Sequence, residues 1–411
     1  MNPSPENSKN NTAPDEEEFI IRVQASIADI NPNAWNALTG ASKDGGHGTY
    51  NPFVSHAFLS ALEKSGCATS ETGWHGQHLI LEGAEGKIHA AVAGYIKSHS
   101  QGEYVFDHSW ADAYERAGGR YYPKYQASVP FTPATGPRLM VSNDINGDAA
   151  RAALAGGIAQ VTEQIGLSSA HVTFAEDKDI KAMTNAGFLH RTDQQFHFQN
   201  NDYSAYADFL ETLASRKRKN LKKERDSAKS NGIEIEWLTG SDLTEEIMDR
   251  FYVFYADTGE RKWGRPYLNR LFYSMIAETM ADDILLVMAK REGRYVAAAI
   301  NFIGGDTLYG RHWGCTEHHP FLHFEVCYHQ AIDFAIERKL KFVEAGAQGQ
   351  HKLARGYMPT TTHSAHYFPN ESFRKAVEDY LEHERAEVAQ YGKVLNDHGP
   401  FKKSQTQEVK S

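Results

Sequence analysis

The sequence predicts an α/β protein with mixed sheets, built as two tandem units. Three observations carry this. Strand-like and helix-like runs alternate along the whole chain, which places helices on the faces of sheets. The order strand, helix, helix, three strands, helix, strand, short helix, strand occurs twice, on either side of residue 200. Finally, 411 residues, 41% of them hydrophobic and 23% charged, suffice for two units with a core each. The duplication lies in the order of elements; the halves share little residue identity.

Residues 1–18 are polar and acidic with no apolar face and predict a disordered tail. In the first unit, 19–200, FIIRVQASI reads as a strand and Asn31-Pro32 opens a short helix. Val54 to Lys64 is a helix with Phe58, Leu59 and Leu62 on one face. HGQHLILEG and KIHAAVAGYIKS read as two strands, EYVF as another, and Ser109 to Arg116 as a helix. An irregular aromatic and proline-rich stretch follows. Asp148 to Gly166 is helical, AHVTFAED a strand, Asp179 to Gly187 a short helix, and HRTDQQFHFQN alternates as a strand.

The second unit, 201–396, opens with a helix over Tyr203 to Leu213. The basic run SRKRKNLKKERDSAKSNG is a second helix, stopped at Asn231-Gly232. IEIEWL is a strand, Asp242 caps a helix, and Pro266 starts another to Met280. ILLVMAKREGRYVAAAINFIGGDTLYGRHWG holds three strands, turning at Glu292-Gly293 and Gly304-Gly305-Asp306. Phe321 to Lys339 reads as one long helix, KFVEAG and THSAHYFP as strands, and Glu371 to Leu395 as the terminal helix. A polar tail, 397–411, completes the chain.

Composition narrows the function. No apolar run approaches a membrane span, and the three cysteines form no disulfide framework, so a reducing cytoplasm is the expected compartment. The net charge of −10 argues against broad nucleic-acid binding. The run Arg216 to Lys229 is the exception: eight cations and two acids give it +6 and leave −16 for the rest. A solvated linker helix or a contact with tRNA or another polyanion both fit. Cys315, His318, His319, His323 and Cys327 lie close together, but without HExxH or paired CxxC spacing, and no metal is expected.

The densest chemistry lies in Lys341 to Pro359, KFVEAGAQGQHKLARGYMP. A strand ends at Gly346, and Gln348, Gly349, His351, Lys352 and Arg355 follow within ten residues. Donors and cations delivered from the carboxyl end of a strand are how α/β sheets build ligand sites. The stretches YYPKYQASVPFTPATGPRL, SRKRKNLKKER, YGRHWG, FLHFEVCYHQAIDFAIE and EAGAQGQHKLARGYMP together resemble the bacterial FemAB-like family of peptidoglycan biosynthesis or recognition proteins, related to the Fem peptidyltransferases. The resemblance covers about 19–395 and implies two GNAT-like domains with an acyltransferase-type site.

In that fold the donor's pyrophosphate sits on main-chain amides of a Q/R-x-x-G-x-G/A loop after the fourth strand, an anion at a helix N-terminus. The resemblance places Arg311, Gly314 and Thr316 there, with threonine where the pattern has glycine or alanine. It implies an acyl-CoA co-substrate and no tightly bound cofactor. The first unit would then shape the cleft for an amine acceptor, with Tyr122, Lys124 and Arg138. Acyl transfer to an amine needs a base and an acid. Glu344, Glu325 and Asp107 are candidate bases, with Glu344 beside His351 preferred. Tyr309, Tyr357 and His351 are candidate acids, and amides at Gly346 to Gly349 an oxyanion site. The expected activity is an N-acyltransferase. The alternatives are a Fem-type transferase using aminoacyl-tRNA on a peptidoglycan precursor, and a non-catalytic binding protein on the same fold.

Overall fold

Two runs of alternating apolar residues meet in the middle of one long sheet. The computed structural model describes residues 19–40, 50–263, 265–347 and 349–402. The 1–18 tail and most of the C-terminal tail therefore lie outside the described residues. The first half contributes β1 (Ile20–Gln24), β2 (Trp74–Gly76), β3 (His78–Glu82), β4 (Ile88–Val92), β5 (Gly94–Lys97), β6 (Lys124–Ala127), β7 (Met140–Val141), β8 (Ala170–Val172) and β9 (Leu189–Gln199). The second contributes β10 (Ile233–Leu238), β11 (Ile284–Arg291), β12 (Arg294–Ile303), β13 (Thr307–Cys315), β14 (Phe342–Glu344) and β15 (Met358–Tyr367).

Strands β1-β3-β4-β7 form a small antiparallel sheet, and the other eleven run β10-β11-β12-β13-β14-β9-β15-β8-β6-β5-β2. The parallel pairs are β6 with β8 and β13 with β14, one in each half. The last strand of each half is exchanged. β15 lies between β8 and β9, while β9 lies between β14 and β15. Main-chain hydrogen bonds thus tie the two halves into one sheet. Apolar packing adds to this: Trp35, Phe53, Phe58 and Leu62 share a core with Phe251, Phe254, Phe272 and Tyr273.

Several elements differ from expectation, each for a local reason. EYVF is not a strand; the Glu103 carboxylate turns inward to Lys124 Nζ at 2.7 Å. KIHAAVAGYIKS breaks at Ala93, and its two pieces enter different sheets. The helix expected from Pro266 starts only at Arg270, where the Asn269 side chain accepts from Phe272 N. The long helix from Phe321 is interrupted: Leu322–Phe324 leads into a π-turn, Glu325–His329, before Gln330–Glu337. Glu325, Val326, Tyr328, His329 and Gln330 are all buried, more than one face of an α-helix can hide.

Candidate active site

Strands β13 and β14 run side by side for only three residues, Thr307–Tyr309 against Phe342–Glu344, and then part. β13 is bent where they separate. Asn301 pairs with Gly310 and Ile300 with His312, so Arg311 is an extra residue, a bulge. β14 stops at Glu344, and the chain turns through Gly346 at φ 74°. The gap is a cavity of about 90 Å³. Gly310 to Trp313 form one wall, Ala345 the facing one, and His323, Cys327 and Tyr328 close it from the helical side. Cys327 and Tyr328 belong to the π-turn, whose wider ring re-aims side chains in a way often found at functional sites.

Glu344, the last residue of β14, precedes the Ala345 wall without itself lining the gap, and is 9% exposed. Burial pushes its carboxyl up to about 8, against the opposing pull of a Thr135 main-chain hydrogen bond and the Arg311 and Arg138 charges. His197 on β9 brings Nε2 within 3.9 Å of the carboxylate. Burial, then the Lys352 charge, push His197 down to about 4, so it is neutral, and Nε2 lies 3.2 Å from Gln195 Oε1. Tyr309 is buried beside Glu344, with Asn51 Nδ2 3.4 Å from its hydroxyl. Arg311 is half-buried and donates to the Phe131 carbonyl at 2.8 Å.

The first half covers this edge with one segment, 131–138. Phe131 O meets Arg311, Pro133 O accepts from Gln195 Nε2 at 2.7 Å, and Thr135 O accepts from Asn51 at 2.9 Å. Phe131 adopts φ 59°, a left-handed conformation that costs a phenylalanine about 1 kcal/mol or more. Strain of this kind is kept where surrounding contacts enforce it. The result is a water-poor edge with one carboxyl, two guanidinium groups, a phenol and a neutral imidazole.

The structure brings Glu344, Tyr309 and Arg311 together and sends other expected residues elsewhere. His351 is not Glu344's partner: its Nε2 lies 3.0 Å from Tyr328 Oη, on the helical side. Tyr357 is fully buried and donates to the Tyr328 carbonyl at 2.9 Å, so its hydroxyl is committed to the core. Glu325 accepts from Arg225 and Gln330, and Arg225 overcomes the cost of burial to hold it below the usual carboxylate range. Lys352 caps the Ala345 and Gly346 carbonyls, and burial lowers it to about 8. Arg355 makes a two-pronged pair with Glu224 at 2.7 and 2.6 Å over the Phe324 ring. These two cations thus fasten the turn after β14. Gly349 stands at φ 103°, with the His351 ring where a side chain would go; Gln348 lies outside the described residues.

The residues of the expected phosphate loop do not form a loop. Arg311 and Gly314 are in strand β13, Gly314 opposite Ala298, and the Thr316 amide donates to Val296 O. A Cβ at Gly314 would lie 1.9 Å from Phe254 O, so the glycine serves close packing of a helix on the strand. Of the three first-half residues, Tyr122 and Lys124 stay together, both bonded to the Ser100 hydroxyl, and Arg138 stands apart. Lys124 is buried in ion pairs with Glu103 and Asp107, and Tyr122 Oη pairs with Ser100 at 2.7 Å. Arg138 donates to Thr173 O and Ala134 O at 2.8 and 2.6 Å, and its charge reaches Glu344.

His197, Asn51, Thr135, Phe131 and Tyr328 were not singled out from sequence, and Cys327 only within the cysteine and histidine cluster. The period of two in HRTDQQFHFQN puts Gln195 and His197 on one face, which is the signal for that pair. The others have none, because only the fold brings them to the gap.

A family model described as FemAB_like, peptidoglycan biosynthesis/recognition, matches residues 26–403. No curated protein matches the chain. Among solved structures, FemX aligns with TM-score 0.53 and 12% identity, over 88% of this chain and 100% of that one. The C-terminal DUF2156 domain of a putative lysylphosphatidylglycerol synthetase from Agrobacterium fabrum aligns with TM-score 0.52 and 9% identity, over 85% and 95%. A conserved protein of unknown function from Bacteroides thetaiotaomicron aligns with TM-score 0.51 and 11% identity, over 85% and 99%. At these identities the likeness is one of fold, a tandem GNAT-like one.

Proposed function

The chain belongs to the FemAB-like family, and from that premise we propose that it is an N-acyltransferase whose reaction takes place where β13 and β14 part. The observation that carries this is Glu344. A buried carboxyl held near 8, one residue before the Ala345 wall of a narrow gap and beside Arg311 that also lines it, is matched to taking a proton from an amine near neutral pH. The amine nitrogen would attack the donor's acyl carbon and Glu344 accept its proton. The amide bond forms as the bond from the acyl carbon to the donor's sulfur or oxygen breaks, and the leaving group takes up the proton that Glu344 returns. Arg311 and Arg138 keep positive charge beside the carboxylate once it forms.

The donor proposed is acyl-CoA, since a gap of about 90 Å³ between two strands suits a narrow thioester arm. A second reading, aminoacyl-tRNA, is favoured by the helix Ser215–Lys229, where Arg216, Lys219, Lys222 and Lys223 are exposed. A thermal-shift series with CoA, acetyl-CoA and charged tRNA separates the two, because a ligand of the native state raises its melting temperature. Thiol release from acetyl-CoA in the presence of amines tests the reaction. Glu344→Gln should lower it about a hundredfold or more. Undiminished release in that variant would remove Glu344 from the chemistry.

A further inference from the structure

Arg311 is a cation without an anion. It is the extra residue of the β13 bulge, and its Nη2 donates to the Phe131 carbonyl at 2.8 Å. Among the described residues it makes no other hydrogen bond and no ion pair, so most N–H donors of the guanidinium are unused. Its Nε and Nη1 carry no bond and are not sealed away from solvent. Other arginines turned inward are treated differently. Arg191 forks onto Glu384 at 2.8 and 2.7 Å, Arg225 holds Glu325 and Asp333, and Arg355 forks onto Glu224.

The groups that face Arg311 do not supply the missing charge. They are the phenols of Tyr104, Tyr255 and Tyr273, each pushed up by burial, and the Glu344 carboxyl, which burial keeps protonated to about 8. A guanidinium does not lose its proton in a protein, so the positive charge stays. Taking it partly out of water without a counter-ion destabilises the fold, and a ligand anion would relieve that cost.

Position narrows the ligand. Phe131 O and the Phe53 ring, whose centroid is 5.9 Å from the guanidinium carbon, hold the Arg311 head on the first-half side of the gap. Thr135, whose main chain bonds the Glu344 carboxyl, is on the same side. Tyr104, Thr135 and Tyr267 are half-exposed, with Tyr267 stacked on Phe131 at 4.9 Å, so this side is open to solvent. The helical side, with His323, Cys327 and Tyr328, is left for the donor. Glu344 and Arg311 are near enough for each charge to act on the other, yet no ion pair joins them. A molecule with an amine and a carboxylate a few bonds apart fits between them.

We propose that Arg311 binds the carboxylate of the acceptor, an amino acid that offers its amine to Glu344. The assignment to the acceptor rests on the transfer reaction proposed above; the carboxylate site itself does not. The planar guanidinium meets a carboxylate with charge-assisted N–H bonds, and this fixes the amine's direction.

The test is calorimetric titration of the full chain with glycine, β-alanine, propionate and propylamine. The amino acids and propionate should bind, more weakly as salt is raised, and propylamine should not. Arg311→Met should weaken carboxylate binding about ten- to hundredfold, the span of hydrogen bonds to a charged group. Arg311→Lys, which keeps the charge and loses the fork, should weaken it less. In melting curves Arg311→Met should be as stable as the parent or more so, because an unpaired charge is removed. No binding by the carboxylates, propionate binding unaltered in Arg311→Met, or a marked loss of stability in that variant overturns the site. Thiol release from acetyl-CoA, measured on the same proteins, separates the two proposals. Carboxylate binding that depends on Arg311 without any transfer leaves the site standing and sinks the reaction. Transfer to propylamine as fast as to β-alanine sinks the acceptor assignment and leaves the reaction standing. Faster release from succinyl-CoA than from acetyl-CoA, with propylamine as acceptor, also sinks that assignment, since the carboxylate then belongs to the acyl group.

Discussion

At the scale of single residues, Glu344 sets the strongest pH dependence. In the role of base proposed for it Glu344 must be ionised, so the rate should climb with pH through about 8. Stability should move the other way. The unfolded carboxyl loses its proton near 4.5 while the folded one keeps it to about 8, so the folded state binds the extra proton across that window. Stability is therefore full below about 4.5 and falls as pH rises towards 8. Glu344→Gln lacks this dependence, and in urea melts it should gain on the parent with rising pH, by on the order of 3 kcal/mol at pH 8. A constant difference between the two proteins from pH 5 to 8 would mean that Glu344 titrates normally.

Lys352 and Arg355 show how residue type misleads. Both suit an anion, yet both are buried and paired within the protein. Glu224, the partner of Arg355, also accepts from His329, whose other ring nitrogen meets Tyr206 Oη. Arg355→Ala should cost about 3 kcal/mol, because it strands a part-buried carboxylate. Glu224→Gln in the same background should recover part of that loss, which a double-mutant urea series would measure.

At the scale of elements, β13 is the strand that shapes the candidate site. Its first three residues hold β14, its bulge at Arg311 turns it away, and its end is clamped by the helix Glu245–Trp263. Gly314 is the clamp's point of contact. Gly314→Ala places a methyl against the Phe254 main chain, and should cost about 1–3 kcal/mol in a denaturant melt. A variant as stable as the parent would mean that the helix shifts freely. The turn signal at Gly304-Gly305-Asp306 foretold the strand, but a bulge depends on both partners and leaves no mark in one strand's pattern.

At the scale of the whole molecule, strand exchange is the governing fact. β9 completes the neighbourhood of β14, and β15 that of β8, so neither half has its full sheet alone. Fragments 19–200 and 201–402 expressed apart should not give a cooperative melt, whereas co-expression should yield a complex that copurifies. Cooperative melting of either fragment alone would mean that the exchange is dispensable. The basic helix Ser215–Lys229 belongs to this scale too. Reversing Arg216, Lys219, Lys222 and Lys223 to glutamate should abolish any salt-dependent binding of polyanions while sparing the fold, since these side chains are exposed.

The sequence by itself determined the alternation of elements, the fold class, the family likeness and the chemical density after Lys341. These follow from local preferences and from patterns along one stretch of chain, which a single sequence records. It also pointed to Glu344, because a carboxylate at the end of an apolar strand is conspicuous. Only the tertiary structure decided that Glu344 faces Arg311, Tyr309 and His197 while His351 faces Tyr328, and that Gly314 packs a helix. The physical reason is that burial and pairing are set by what arrives from the other half: residues 131–138, the exchanged strand β9 and Arg138. Whether a cation meets solvent or a carboxylate depends on segments more than a hundred residues apart, and that information resides in the packing.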